Sequence, residues 1–482
     1  MKLKDLLQGL NILSSTADGE MEITGVSYDS RTTRPGDLFV AMTGFAADGH
    51  AFIPKAVENG AAAVLCQREI GEKIPAVRVE NSRRALAVVG ANWFGHPADE
   101  MVMTAVTGTN GKTTTTYLLK AILEQAKGAK VGLIGTNQNM IGQEILPTER
   151  TTPESFELQR LFRRMADAGC THVVMEVSSH ALYLDRVYGV HYKVGVFTNL
   201  TQDHLDFHKT MEAYCDAKAI LFSRCDTGVV NADDPWKDRL LQNAACTVMT
   251  YAEKNPADLR AENVTLTADH VEFTAACGEK RIPVRVNIPG GFMVYNTLDV
   301  MGAALALGVE PEESAKILAA VPHVKGRVEV VPTPGRDYTI LIDYAHSPDG
   351  LENVLRSAKG FAKGRTVALF GCGGDRDKTK RPKLGKIAAE IADFVIVTTD
   401  NPRTECPADI IADILTGMQD TATPYAVVED RIAAIHYAMD HAESGDVIVL
   451  AGKGHETYQE INHVKHHMDE REIVAEHLRE TK

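Results

Sequence analysis

Met101–Ala126 reads MVMTAVTGTNGKTTTTYLLKAILEQA, and this stretch decides the fold. The unbroken apolar run MVMTAV suits a strand buried on both faces. A glycine turn, GTNG, follows, and a lysine and four threonines then open a stretch that reads as a helix. Strand, glycine turn and helix in that order present backbone N–H groups at a helix N-terminus, where the dipole also favours an anion. Gly108, Thr109, Asn110, Gly111, Lys112, Thr113 and Thr114 are therefore candidate phosphate-binding residues. Lys112 is placed to reach the outer phosphates, and the Thr113 hydroxyl to hold Mg²⁺. The strict Walker pattern fails at Val106, where its first glycine belongs, so the strand–turn–helix context carries the reading. The chain is expected to bind ATP or GTP.

Working outward, the same grammar recurs. HVVMEVSS and KVGVFTNL are buried strands ending in polar residues, and YTILIDYA, TVALFGCGG, DFVIVTTD and DVIVLAGKG repeat the theme near the C-terminus. Apolar runs separated by helix-like segments predict parallel sheets covered on both faces. Before them, a helix pattern over Leu3–Ile12 leads to the strand-like ITGVSYDSR, and WFGHPADEM breaks the helix that precedes it. The expected fold is α/β in three domains: a small mixed α/β domain over residues 1–98, a central P-loop parallel-sheet domain over 99–326, and a C-terminal Rossmann-like α/β domain over 327–482. Nearly every unusual polar cluster lies just past the C-terminal end of a predicted strand, the edge where open parallel sheets bind ligands. Two such edges facing each other would make an interdomain cleft.

Composition narrows the classes. The 482 residues are 44% hydrophobic and 24% charged, with 51 Lys and Arg against 65 Asp and Glu, a net charge of −14. That balance argues against a nucleic-acid binder or a protein held on an anionic membrane. None of the eight cysteines forms a C-x-x-C pair or a zinc spacing, so they read as reduced thiols. Neither a signal peptide nor a membrane-spanning apolar run is visible, and a soluble, cytoplasmic monomer is expected.

Glu176 ends HVVME, and His204 follows KVGVFTNL. A carboxylate and an imidazole at strand ends beside a phosphate loop suit Mg²⁺, directly or through water. Lys218, in MEAYCDAKAILF, reads on composition alone as a solvated helical lysine.

GTNGKTT, TTPES, MEVSSHAL, NLTQDHLDFH, DYAHSPD, FGCGGDRD, DNPRTE and AGKGHE occur in this order, with YDSR near the N-terminus. The set resembles the Mur ligase family and covers essentially the whole chain. The resemblance implies an ATP-dependent amide ligase adding the third residue to UDP-N-acetylmuramoyl-L-alanyl-D-glutamate through an acyl phosphate. It implies that Lys112, Glu176, His204 and Lys218 are catalytic, and that Thr113, Glu176, His204 and an N6-carboxylated Lys218 hold the metal. It places Asn296, Arg327, Asp343 and His346 near ATP, and makes residues 1–98 the UDP-muramoyl domain. Ser30, Thr151, Thr152, Ser178 and Arg186 would hold the UDP-muramoyl peptide. Arg150 and Leu184 depart from the pattern of many relatives.

For the incoming amino acid, the resemblance points to Arg376, Asp400, Asn401, Pro402, Arg403, Gly452 and Glu456. A guanidinium grips a carboxylate with two parallel hydrogen bonds, in a geometry that lysine cannot copy. Meso-diaminopimelate carries a far carboxylate and L-lysine does not, and in the family DNPR goes with diaminopimelate. Glu456 is the expected acceptor for the far ammonium. The competing reading of Arg403 is a surface pair with Glu405. The competing functions are a lysine-adding ligase, a folylpolyglutamate synthetase, which should lack the N-terminal domain and DNPR, and a nucleotide-gated switch.

Overall fold

The computed structural model describes every residue except 45–47, 72, 149, 268, 322, 323 and 482. Among the described residues three large sheets follow one another along the chain. The first orders Ile12–Ser15, Ala76–Val79, Ala63–Cys66, Asp37–Val40 and Gly25–Ser27, with only the first pair antiparallel. The helix expected over Leu3–Ile12 is confined to Leu3–Leu6, and Ile12 starts a strand instead. Gly9, at φ +82°, breaks the helix between them. ITGVSYDSR is strand only over Gly25–Ser27, because Asp29 then turns the chain by accepting bonds from Arg31 N and Thr32 N.

The second sheet has eleven strands. Seven run parallel in the order Val131–Ile134, His172–Glu176, Val102–Thr107, Tyr192–Phe197, Cys225–Asn231, Thr247–Ala252 and Leu259–Leu266. Val102–Thr107 lies inside this set, with Val106 packing into the core on one face and Met103 and Ala105 into the core on the other. Coverage of both faces explains its continuous apolarity. The parallel sheet expected from the sequence forms the centre, and antiparallel strands extend it at both edges. Val271–Cys277 and Lys280–Val286 extend one side antiparallel, and Asn139–Ile141 and Glu144–Leu146 the other. Lys280–Val286 alternates exposed and buried residues, as a strand with one wet face does, so no apolar run announces it.

The third sheet orders Glu329–Val331, Thr339–Asp343, Val447–Ala451, Thr366–Phe370, Phe394–Val397 and Tyr425–Val427, antiparallel only at the first pair. A hairpin, Tyr458–Ile461 with Val464–His467, stands beside it. Between the second and third sheets the chain passes through Gly326, at φ +69°. A Cβ there would lie 2.2 Å from the His455 nitrogen, so only glycine lets this crossing lie against the loop after Val447–Ala451.

Candidate active site

One cleft of about 1430 Å³ is lined by the phosphate loop, by strand ends of the second sheet and by loops of the third. Strand register brings them together. Glu176 pairs with Val106, the last residue but one of the strand that feeds the loop, and Asp343 pairs with Ala451.

The loop between Val102–Thr107 and the helix Lys112–Lys127 requires two glycines. Gly108 sits at φ +150°, where a Cβ would meet the Thr198 Oγ1 at 1.8 Å. Gly111 sits at φ +88°, where a Cβ would lie 2.5 Å from the Asn296 Oδ1. Lys112 Nζ donates to the carbonyls of Gly108 at 3.0 Å and Thr109 at 2.8 Å, curling over its own loop. Desolvation draws its pKa down, opposed by Glu176. The Thr109 Oγ1 contacts Tyr214 Oη, Asn110 Nδ2 donates to Asp349 Oδ2 of the third-sheet region at 2.5 Å, and Thr114 is buried.

Thr113 Oγ1 donates to Glu176 Oε1 and accepts from Arg327 Nη2, both at 2.9 Å. Glu176 is buried and also accepts from Thr136 N and Thr136 Oγ1, each at 2.9 Å. His204 opens onto the cleft with φ +53°, its ring edge-on to His180 at 4.8 Å. Loss of water around the imidazole, against the pull of Asp203, brings its pKa to about 4, so the ring is neutral at pH 7.

Lys218 is the clearest surprise. It is 1% exposed, which overturns the picture of a solvated helical lysine. From the helix Met211–Ala219 its Nζ donates to the Gly108 carbonyl at 2.9 Å, so two lysines converge on one loop oxygen. Burial, reinforced by Lys112, lowers the pKa of Lys218 well below the ordinary lysine range. Among the described residues no three His, Cys, Asp or Glu side chains group closely enough to hold a metal by themselves.

Asn296 and Arg327 line the cleft beside the loop. The Arg327 guanidinium lies 4.9 Å over the Tyr344 ring, and its Nε is buried without a hydrogen-bond partner. Asp343 accepts from Val328 N and Ala345 N, both at 2.8 Å, and burial raises its pKa. His346 contacts the Tyr344 carbonyl and lines the cleft.

Thr151 and Ser178 reach the cleft lining. Thr152 is buried behind them, donating to Glu176 O and accepting from Ser178 N, while Arg186 Nη1 donates to Thr152 O. Ser30 is buried in the first-sheet region and is not brought to this cleft.

Across the cleft, Arg376 is exposed, and Asp400, Asn401, Arg403, Gly452 and Glu456 join the lining, with Pro402 between. Arg403 does not pair with Glu405, which is held by Arg381 at 2.8 Å and Lys378 at 2.9 Å. Nor is it unpaired. Its Nε donates to Glu460 at 3.1 Å and its Nη1 to the Gly374 carbonyl at 2.8 Å. Glu456 is likewise engaged, accepting from Lys453 at 2.8 Å and Asn401 at 3.0 Å. Sequence reading passed over Lys453, although AGKGHE contains it, because nothing local marks a lysine as buried. It also passed over Asp349 and His180, whose contacts come from distant segments.

A phosphate loop facing charged loops across one cleft places the chain among nucleotide-using α/β enzymes whose site lies between two sheets. Three family models match it: "Mur ligase family, catalytic domain" over residues 22–95, "Mur ligase middle domain" over 106–304, and "Mur ligase, glutamate ligase domain" over 326–454. The chain belongs to the Mur ligase family. It is 45% identical, over the full length of both chains, to UDP-N-acetylmuramoyl-L-alanyl-D-glutamate--2,6-diaminopimelate ligase of Clostridium botulinum. To the corresponding ligase 1 of Clostridium acetobutylicum it is 46% identical, again over the whole of each chain. A solved structure of a ligase of the same name superposes with TM-score 0.71 at 30% identity, covering 100% of this chain and 99% of that one. A folylpolyglutamate synthase of Mycobacterium tuberculosis shares the fold over 77% of this chain and 92% of its own, with TM-score 0.65 at 16% identity.

Proposed function

We propose that the chain is an ATP-dependent ligase joining meso-2,6-diaminopimelate to the D-glutamate γ-carboxylate of UDP-N-acetylmuramoyl-L-alanyl-D-glutamate, in cytoplasmic peptidoglycan precursor synthesis, and that it acts as a monomer. The observation that carries this reading is the single cleft with a phosphate loop on one wall and the Asp400–Arg403 and Gly452–Glu456 loops on the other. The names of the full-length relatives support it. The three-domain division at residues 98/99 and 326/327 belongs to the same reading, with residues 1–98, including Ser30, holding the UDP end.

In this scheme the γ-phosphoryl group passes from ATP to the γ-carboxylate, giving ADP and an acyl phosphate. The free amine of diaminopimelate attacks the acyl carbon, a proton is lost from nitrogen, and the tetrahedral intermediate expels phosphate. Two anions must meet in the first step, so positioning and charge neutralisation dominate the barrier. Lys112 would leave its two loop carbonyls for the phosphates, while the loop N–H groups fix their position. Asn296, Arg327, Asp343 and His346 would close around the nucleotide, with the unpartnered Arg327 Nε directed to it. Thr151, Thr152, Ser178 and Arg186 would hold the peptide carboxylate against the loop.

The donor set fits Mg²⁺ in part as it stands: Glu176 is a carboxylate, the Thr113 hydroxyl is adjacent, and His204 is neutral. A cationic Lys218 would not fit. Burial, however, favours its free amine, which adds to CO2 to give a carbamate and a proton, and that product presents oxygen. When bound, the metal would offset phosphate charge.

Phosphate release with Mg-ATP and the UDP-dipeptide tests the reading, with diaminopimelate and L-lysine compared in parallel. Release with diaminopimelate alone, and a product heavier by that residue, is expected. Release with lysine alone would give the chain to the lysine-adding class, and ATP hydrolysis independent of either amine would point to a switch.

A further inference from the structure

The amino-acid wall of the cleft contains a lysine that the scheme above does not use. Lys453 follows the strand Val447–Ala451 and is completely buried. Its Nζ donates to the Asn401 Oδ1 and the Glu456 Oε2, both at 2.8 Å, and lies 5.3 Å from the centre of the Tyr458 ring. The Asn401 amide has one orientation as a result. Its Oδ1 accepts from Lys453 and from Glu460 N, and its Nδ2 donates to Glu456. One ammonium therefore ties the Asp400–Arg403 loop to the Gly452–Glu456 loop.

Beneath them lies a second buried pair. Arg431 donates to Glu470 at 2.8 Å, and its other nitrogens reach the carbonyls of Thr399 and Ala451, the residues just before the two loops. Lys453 and Asp400 both act electrostatically on Glu470. In this layer two cations, Lys453 and Arg431, face three carboxylates, Glu456, Glu470 and Asp400. The Asp400 carboxylate accepts no hydrogen bond among the described residues and is 7% exposed. Arg403 is already matched by Glu460 and does not cancel the excess. At the exposed rim Lys465 adds a further cation, 4.2 Å from the centre of the same Tyr458 ring.

We propose that Lys453 is a positioning and specificity-determining residue for the incoming amino acid: by holding Asn401 and Glu456 in register and removing one negative charge from the wall, it shifts the preference away from a bare alkylammonium and toward a zwitterionic terminus beside Arg403. This rests on the amide-ligase reading given above. Without Lys453 the wall is more negative by one charge and both loops lose a shared anchor, a change that favours a lone cation and disfavours a terminus that also carries a carboxylate.

The test uses full-length Lys453→Met and the charge-balanced Lys453→Met/Glu456→Gln. The KM values for ATP, the UDP-dipeptide and diaminopimelate, and the turnover ratio of diaminopimelate to lysine, are measured for each. The expected result for Lys453→Met is a rise of tenfold or more in the KM for diaminopimelate, with the other two KM values within twofold and a falling ratio. The double variant should recover part of that ratio. An unchanged diaminopimelate KM, or three KM values moving together, overturns the proposal, and so does failure of both variants to fold. Should Lys453→Met alone fail to fold, Lys453→Gln carries the test, a diaminopimelate-selective KM rise supporting the proposal and an unchanged one overturning it. Wild-type enzyme in the same assay separates the two readings: no amine-dependent turnover there removes the ligase reading itself, whereas diaminopimelate-dependent turnover with unaffected variants removes only the role of Lys453.

Discussion

The two walls of the cleft are built by opposite methods. The phosphate loop is local: seven consecutive residues, two glycine conformations and one helix start, with its own Lys112 resting on its main-chain carbonyls and only Lys218 reaching it from a distant helix. The amino-acid wall is assembled from Gly373–Gly374, Asp400–Arg403, Lys453–Glu456 and Glu460, and its charges are bonded to one another across gaps of up to 57 residues. A local site can be preorganised by backbone alone, whereas an assembled one depends on buried ion pairs whose loss leaves a charge unmatched. Damage to the first should therefore appear in kcat, and damage to the second in the KM of one substrate.

The largest expected effect is at the phosphate wall. Lys218→Ala should lower turnover by about 10²–10³-fold, the scale of losing one charge-stabilising group in an active site. A short carboxylate at high concentration should restore part of it, and phosphate-release rates with and without the additive measure this. Full activity without additive would break the contrast. Next comes Arg403→Ala, which removes a charged partner on the other wall. A charged hydrogen bond contributes roughly 1.5–3 kcal/mol, so the KM for diaminopimelate should rise about 10- to 100-fold while that for ATP stays within threefold. Equal effects on both would make Arg403 a general structural element.

The smallest effect sharpens the comparison below the wall. Arg381, with Lys378, holds the Glu405 carboxyl down at about 2 against an ordinary 4.5. That pair stabilises the fold above about pH 4.5, and the contribution is lost as acid protonates the folded form toward pH 2. Glu405→Gln should lower the Tm at pH 7 by about 2–4 °C, the response of a mid-sized domain to roughly 1 kcal/mol. Thermal scans should show the gap to wild type closing between pH 4 and pH 2.

The same division governs what could be read in the sequence. The α/β class and the phosphate loop were legible because their signals lie within a single strand–turn–helix, and the inner strands were legible because burial on both faces forces apolar runs. The outer antiparallel strands were not, since one wet face breaks the run, as in Lys280–Val286. Glu176 and His204 could be suspected from strand ends. The burial of Lys218 could not, because only folding puts Met211–Ala219 beneath Gly108. Arg403 was legible as a motif residue, but its partner Glu460 was not. The nearby Glu405 was the one pairing weighed against a free guanidinium, and the hairpin that delivers Glu460 has no signature near DNPR.

Gly326 adds a consequence for which mutations the chain can carry. The crossing between the second and third sheets touches the His455 backbone so closely that no side chain fits between them. The joint and the substrate loop thus share a surface. Any side chain at residue 326 would prise the loop from its seat while leaving the two glycines of the phosphate loop untouched.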